Sequence, residues 1–218
     1  MDFIGAYSLI NLQFLLDGLQ VTISVSVLSI VFSFLIGGLT GTIRFAEIPI
    51  LSPVVGILID IIRNLPLLLI IFFTYFALPQ IGIRFDIFWS TVVALTIFES
   101  AMLSEIFRAG LNAVPKGQME AGLSTGLSYI TTMLTIVLPQ AFRSMIPAIV
   151  SQLISLVKDT SLAVIISLPE LTHHAKIIYG QNTSYVIPMF VLMAVAYFGV
   201  CYILSLLSKY LETKRYNY

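Results

Sequence analysis

The chain has 218 residues, 58% of them hydrophobic and 10% charged, against roughly 25% charged in soluble domains, which excludes an ordinary soluble fold. Its 11 basic and 11 acidic residues cancel, so nothing points to a nucleic acid or another polyanion as partner. Cys201 is the single cysteine and lies in an apolar run; a disulfide framework is excluded, and a buried structural thiol is expected.

No basic residue precedes Arg44, so the first span is expected to stay as an anchor rather than be cleaved as a signal peptide. That span, about 18–43, is uncharged and long enough for one tilted crossing. Ser29, Ser33, Gly37 and Gly41 fall four apart along it. Small residues at that spacing let helices approach closely in lipid, so this face is predicted to pack inside the bundle.

A second span, about 53–78, is interrupted by Asp60, Arg63, Asn64 and Pro66. Counted at about 1.5 Å per residue, Asp60 and Arg63 fall close to mid-membrane, and their spacing predicts a mutual pair. Pro66 removes a backbone donor and deprives the Ile62 carbonyl of its usual partner. Freed backbone beside a helix break, next to Asn64, is one way in which transporters hold polar solutes. A proline kink with a satisfied polar neighbour accounts for the same residues equally well. In the third span, about 87–108, Glu99 is expected to pair with a basic group of another span, and Glu105 with Arg108 at its edge.

Polar turn chemistry concentrates between Val114 and Arg143. Pro115, Lys116 and Gly117 signal a stop and restart of helix. Met119, Leu123 and Leu127 then form one apolar stripe on a short helix, about 117–127, that is predicted to lie on the membrane surface. Leu138-Pro139 is expected to close the stretch. The fourth span, about 140–168, is broken by Pro147 and by Lys158-Asp159. Gln152, Ser155 and Asp159 share one helix face; a carboxylate with an amide and a hydroxyl on that stripe suits an α-ammonium group. His173 and His174, in the polar segment that follows, read as solvated surface histidines rather than metal ligands. Trp89, Tyr179 and Tyr185 fit an interfacial aromatic belt. After a fifth span, about 186–208, comes a basic tail.

The fold class is therefore an all-α membrane protein of five transmembrane helices and one short surface helix, in a single domain over 1–218. Arg44, Arg108, Lys116, Arg143, Lys209, Lys214 and Arg215 fall on one side of the membrane, and Arg84 and Lys176 on the other. That excess puts the polar loop and the C-terminus in the cytoplasm and the N-terminus outside.

Glu120-Ala121-Gly122, three residues, Gly126, nine residues and Ile136-Val137-Leu138-Pro139 resemble the EAA loop of ABC-importer permeases. Asp60-Ile-Ile-Arg63-Asn64-Leu-Pro66-Leu67, Ser104-Glu105-Ile-Phe-Arg108-Ala-Gly, Pro115-Lys-Gly-Gln118-Met-Glu120 and Lys158-Asp159-Thr160-Ser161-Leu162 look like the signatures of the polar amino-acid branch, the histidine/glutamine-type permeases. The resemblance runs from about Gly18 to the C-terminus. It implies the type I ABC importer fold in a cell (plasma or inner) membrane. The chain would be a permease subunit importing a polar amino acid, glutamine-like or basic, by ATP-driven alternating access.

By the same resemblance the short helix is a coupling helix. It would dock through Glu120, Ala121, Gly122 and Gly126 into a separate ATP-binding cassette subunit, the small residues keeping it thin and Glu120 offering a charge. Gly122 stands where the pattern has alanine, which is expected to leave the helix more flexible. A substrate pocket would use Asn64, Pro66, Leu67, Gln152, Ser155 and Asp159. Gln152 stands where a second acid is expected in a carrier of arginine or lysine, which favours a neutral substrate such as glutamine. An extracytoplasmic solute-binding protein and a dimer, with itself or a sister permease, are implied. No G-x-x-x-x-G-K-[ST] loop occurs, so ATP belongs to the partner subunit; no cofactor or metal is expected in this chain. The rival reading is an ion-coupled secondary transporter using Asp60, Glu99 or Asp159, which leaves the spacing around Glu120 unexplained. An intramembrane enzyme would need a Ser/His or His/Glu constellation at membrane depth, and both histidines fall outside it.

Overall fold

In lipid the backbone must satisfy its own polar groups, so long apolar runs between capping residues have helix as their outlet. The computed structural model describes residues 1–213, apart from the side chains of residues 207, 208 and 210–213, and these residues form helices and turns with no strand among them. A short α1 (Phe3–Ala6) precedes α2 (Leu9–Phe45), α3 (Leu51–Arg63) and α4 (Leu67–Phe72), the last continuing through a π turn, Phe73–Ala77, and a 3-10 turn, Leu78–Ile81. There follow α5 (Ile87–Asn112), α6 (Lys116–Ser124), and α7 (Tyr129–Thr132), which passes through a π turn, Met133–Val137, into α8 (Leu138–Asp159). A 3-10 segment, Thr160–Ile166, leads to α9 (Leu171–Gln181), and a 3-10 turn, Thr183–Tyr185, to α10 (Val186–Thr213). Lys214 and Arg215, two of the charges assigned to the cytoplasmic side, lie outside the described residues.

Among the described residues four helical stretches are long and apolar enough to cross a membrane, and the pair Leu51–Arg63 and Leu67–Ile81, bent by 101°, makes five when counted as one broken span. Helix α2 has 37 residues and starts well before the predicted Gly18. At about 1.5 Å per residue it outreaches a hydrocarbon core of about 30 Å, so its N-terminal turns project beyond the lipid with Asp17 exposed.

The seam between α2 and α5 organises the bundle. Ser29, Ser33, Gly37 and Gly41 are all buried on it. A Cβ on Gly41 would stand 2.6 Å from the Ser104 carbonyl oxygen, and one on Gly37 2.7 Å from Leu103 Cβ, so the backbones touch where only glycine fits. Leu103, Phe107 and Leu111 of α5 then pack with Met145 and Ile149 of α8. Toward the other end Val25, Leu95 and Ile71 close around Ala163 and Leu168.

Three breaks differ from the expected ones. Pro147 does not interrupt α8, which runs through it from Leu138 to Asp159. Pro139 does not stop a helix: it lies inside a helical span that runs from Tyr129 to Ile166, and the π turn Met133–Val137 just before it takes up the break that an interior proline makes in the backbone bonding. The second span does not climb steadily either. The bend at Asn64–Pro66 leaves α3 crossing past the end of α2, so Ser52 Oγ donates to the Ile43 carbonyl at 2.6 Å while Asp60 still lies 3.9 Å from Arg44. Asp60 and Arg63 thus stay at the level of Arg44 instead of reaching mid-membrane.

Candidate substrate pocket and coupling surface

Five charges meet at that level. Arg44 donates to Glu105 at 2.8 Å, Arg63 lies 3.5 Å from the same carboxylate, and Arg108 also contacts it. Asp60 sits 3.9 Å from both Arg44 and Arg63. The expected pairs Asp60–Arg63 and Glu105–Arg108 are present, but as parts of one cluster with Glu105 as its hub, joining α2, α3 and α5.

Glu99, at the middle of α5, has no exposed surface. Its partner is Gln152 of α8, whose amide donates to both carboxylate oxygens, at 3.0 and 3.3 Å, and not the basic group expected for it. The pairing brings an amide chosen for the pocket onto an acid that the pocket had left out, and the two positions are 53 residues apart. Asp159 ends α8 half-buried, within electrostatic reach of Glu99, and among the described residues it has no hydrogen bond or ion pair. Ser155, also half-buried, lies one turn before it.

The break in the second span reaches the same region from another side. Leu67 is buried in the cluster that holds Ala163 and Ile166, so the start of α4 packs on the segment that follows Asp159. Pro66 precedes α4 in extended backbone. The Ile62 carbonyl is not freed as expected: the Leu65 amide donates to it at 3.2 Å. Asn64 is exposed and turns its own amide back to the Asp60 carbonyl at 2.7 Å. It is a satisfied helix end whose carbonyl side of the side chain stays available.

Helix α6 is polar and mostly exposed, with Glu120 and Ala121 outward and Met119 half-buried. It ends at Ser124, short of the predicted Leu127. Gly126, at φ +85°, closes it: the Gly126 amide donates to the Leu123 carbonyl and the Leu127 amide to that of Gly122, a left-handed cap that favours glycine. Gly126 therefore terminates the helix instead of thinning it, and Leu127 leaves the stripe. Gly122 is buried, and a Cβ there would collide with the Thr132 side chain; its role is close packing on α7 rather than flexibility. Beside α6 a cavity of about 290 Å³ is lined by Phe45, Leu111, Val114, Met119, Tyr129 and Val137.

The segment around His173 and His174 also departs from expectation. His174 is buried, stacked on Phe14 with ring centroids 3.9 Å apart and bonded through Nδ1 to the Phe14 carbonyl. It is a packing residue, not a solvated one. Burial and the neighbouring His174 and Lys176 charges hold His173 below the usual imidazole range. Cys201 is half-buried, its thiol directed to the Ile154 carbonyl.

A helical membrane bundle with a buried Glu99–Gln152 pair at mid-span and an exposed polar helix at one end has the build of a transport subunit. The chain belongs to the binding-protein-dependent transport system inner membrane component family, which matches residues 33–215. It is 58% identical to the probable glutamine ABC transporter permease protein GlnP of Bacillus subtilis, over 99% of this chain and 100% of that one. A crystal structure of an amino acid ABC transporter with histidines superimposes with a TM-score of 0.89 at 29% identity, covering 98% of this chain and 99% of that one. The inward-facing MetNI methionine ABC transporter, at TM-score 0.77 and 19% identity over 94% of this chain and 99% of that one, shares the fold. The chain is thus a multi-pass permease subunit of an amino-acid ABC importer with the type I fold. The ion-coupled reading has no support among these relatives.

Proposed function

We propose that this permease passes glutamine through a pocket formed by Glu99 and Gln152, by Ser155 and Asp159, and by the Asn64-Pro66-Leu67 break. One observation carries the reading: Glu99 is completely buried and its partner is an amide, not a cation. A carboxylate at membrane depth is costly unless something offsets it, and the α-ammonium of an amino acid is a cation that arrives with the cargo. Asp159, whose carboxylate has no hydrogen bond or ion pair among the described residues, is the second acid facing the same region. The Gln152 amide gives the pocket a neutral donor and acceptor suited to a side-chain amide, and the relative at 58% identity is named for glutamine.

In this reading α6 is the handle for a separate ATP-binding cassette subunit, docked through Glu120, Ala121 and the turn at Gly122–Gly126. That subunit binds and hydrolyses the ATP, and this chain needs no cofactor. Its exposed polar face and the cavity beside Met119 support a docking role. The N-terminus lies outside and the C-terminus in the cytoplasm, an external binding protein delivers the solute, and a second permease, a copy or a sister, completes the pathway. Alternating access follows when ATP draws the coupling helices together. The test is competition against labelled glutamine for uptake into membranes containing the whole complex. Unlabelled glutamine is expected to compete best, and lysine or arginine competing better would replace this assignment with a basic substrate read by two free carboxylates.

A further inference from the structure

The extracytoplasmic helix α9 is tied to the bundle by a buried polar network that the pocket does not use. Glu170, with no exposed surface, caps α9 by accepting from the amides of Thr172 at 2.8 Å and His173 at 2.7 Å. The Tyr197 hydroxyl of α10 donates to the same carboxylate at 3.0 Å and lies 3.1 Å from Thr172 Oγ1. On the opposite side the Leu171 amide donates to Thr22 of α2 at 3.2 Å. Gly18 lets α2 come so close that a Cβ there would stand 2.9 Å from the His174 ring. The start of α9 is therefore held between α2 and α10.

Tyr197 has a second neighbour. The buried Thr160 hydroxyl, which donates to the Val157 carbonyl at 2.7 Å, lies near its hydroxyl, and Thr160 follows Asp159 directly in the chain. From Thr160 to Glu170 the chain makes a 3-10 segment, a left-handed residue at Ser167 (φ 63°) and a turn. One phenolic hydroxyl thus sits where both ends of an irregular connection meet. One end carries the pocket acid and the other begins the outer helix.

We infer that Tyr197 and Glu170 are positioning residues which couple the extracytoplasmic helix α9 to the Asp159 end of the pocket, so that a binding protein seated outside sets the geometry of the pocket. This rests on the importer reading above. Regular helix transmits displacement along its axis, but the 160–170 connection has too few repeating backbone bonds to do so. The Tyr197 hydroxyl supplies the cross-link that makes its ends move together. A hydroxyl bonded to a buried carboxylate is also the stronger sort of hydrogen bond, and its loss leaves Glu170 bonded through backbone amides and Thr172.

The experiment uses the permease assembled with its ATP-hydrolysing subunit in proteoliposomes, with the external binding protein loaded with glutamine as the probe. Tyr197→Phe keeps the ring and its packing and removes the hydroxyl. The variant is expected to retain basal ATP hydrolysis within about twofold while the increment caused by the loaded binding protein falls about tenfold, the scale of one hydrogen bond to a charged group. Glu170→Gln, which keeps an acceptor for the α9 amides, should lose the same increment, and the double variant should lose no more than either one. Full stimulation in Tyr197→Phe would overturn the inference. So would a proportional fall of basal and stimulated rates, or failure of both variants to assemble, since either marks a folding staple. A wild-type complex that the binding protein does not stimulate would overturn the importer reading itself, and the coupling role with it.

Discussion

The α2–α5 seam allows a prediction with its own control on the same helix. At Gly41 a methyl group would lie 2.6 Å from the Ser104 carbonyl oxygen and 2.7 Å from Phe107 Cβ; at Gly37, 2.7 Å from Leu103 Cβ and 2.9 Å from the Ser100 carbonyl oxygen. All four obstacles are backbone oxygens or Cβ atoms fixed to the backbone, so no rotamer change clears the space and α5 must move away by several tenths of an ångström. Forcing a methyl into a packed interface costs about 1–3 kcal/mol. At Gly38 the same methyl meets Phe107 Cζ at 3.5 Å, an ordinary contact. Replacing glycine by alanine gains about 1 kcal/mol of helix propensity at all three positions, so the difference between Gly41→Ala and Gly38→Ala isolates the clash at about 2 kcal/mol. Reversible unfolding in mixed micelles measures it. Gly38→Ala should match or exceed the wild type, and Gly37→Ala and Gly41→Ala should fall below it. Because both seam variants push the same helix, their costs should combine less than additively. Three equal midpoints would show that α5 is not held against α2 by backbone contact.

Three further outcomes test the two sites. Glu120→Lys should abolish binding-protein-stimulated ATP hydrolysis while leaving membrane insertion intact; normal uptake by that variant would remove Glu120 from the docking surface. Gly122→Ala should weaken capture of the ATP-hydrolysing subunit by about tenfold through its collision with Thr132, whose Oγ1 lies 2.8 Å from the added methyl, on the scale of about 1–3 kcal/mol for overpacking. Thr132→Ala in the same chain should restore capture, and no rescue would mean that the defect lies in the docking face rather than beneath it. Asp159→Asn should raise the KM for glutamine uptake about tenfold with assembly unchanged, the worth of one hydrogen bond to a charged group; unchanged kinetics would take Asp159 out of the pocket.

What could be read in advance, and what could not, divides along physical lines. Ser29, Ser33, Gly37 and Gly41 announce their seam because side-chain size and a spacing of four are local properties. The EAA-like loop shows its existence for the same reason, but not its internal mechanics. Gly122 and Gly126 look alike in the chain, yet one makes room for Thr132 and the other forms a left-handed cap. Depth is worse served. A constant rise per residue places Asp60 and Arg63 near mid-membrane, and a 101° bend invalidates the count; Asn64-Leu65-Pro66 leaves both a kink and a freed backbone open, and neither reading gives the angle. Pro139 misleads the opposite way, since the π turn before it absorbs the lost backbone bond and carries the helix on. The Glu99–Gln152 bond links residues 53 positions apart, and no local pattern encodes it.

The Glu99–Gln152 bond changes what sets the charge preference of the pocket. On α8 alone, Gln152, Ser155 and Asp159 make a face with one acid, which suggested a neutral cargo. Packed against α5, the same face gains Glu99, so the region holds two acids, one of them occupied by an amide. Neutral selectivity then depends less on how many acids are present than on whether Gln152 keeps Glu99 engaged. Loss of that amide would expose a second carboxylate, so substitutions at Gln152 should move selectivity toward basic amino acids even though they add no charge.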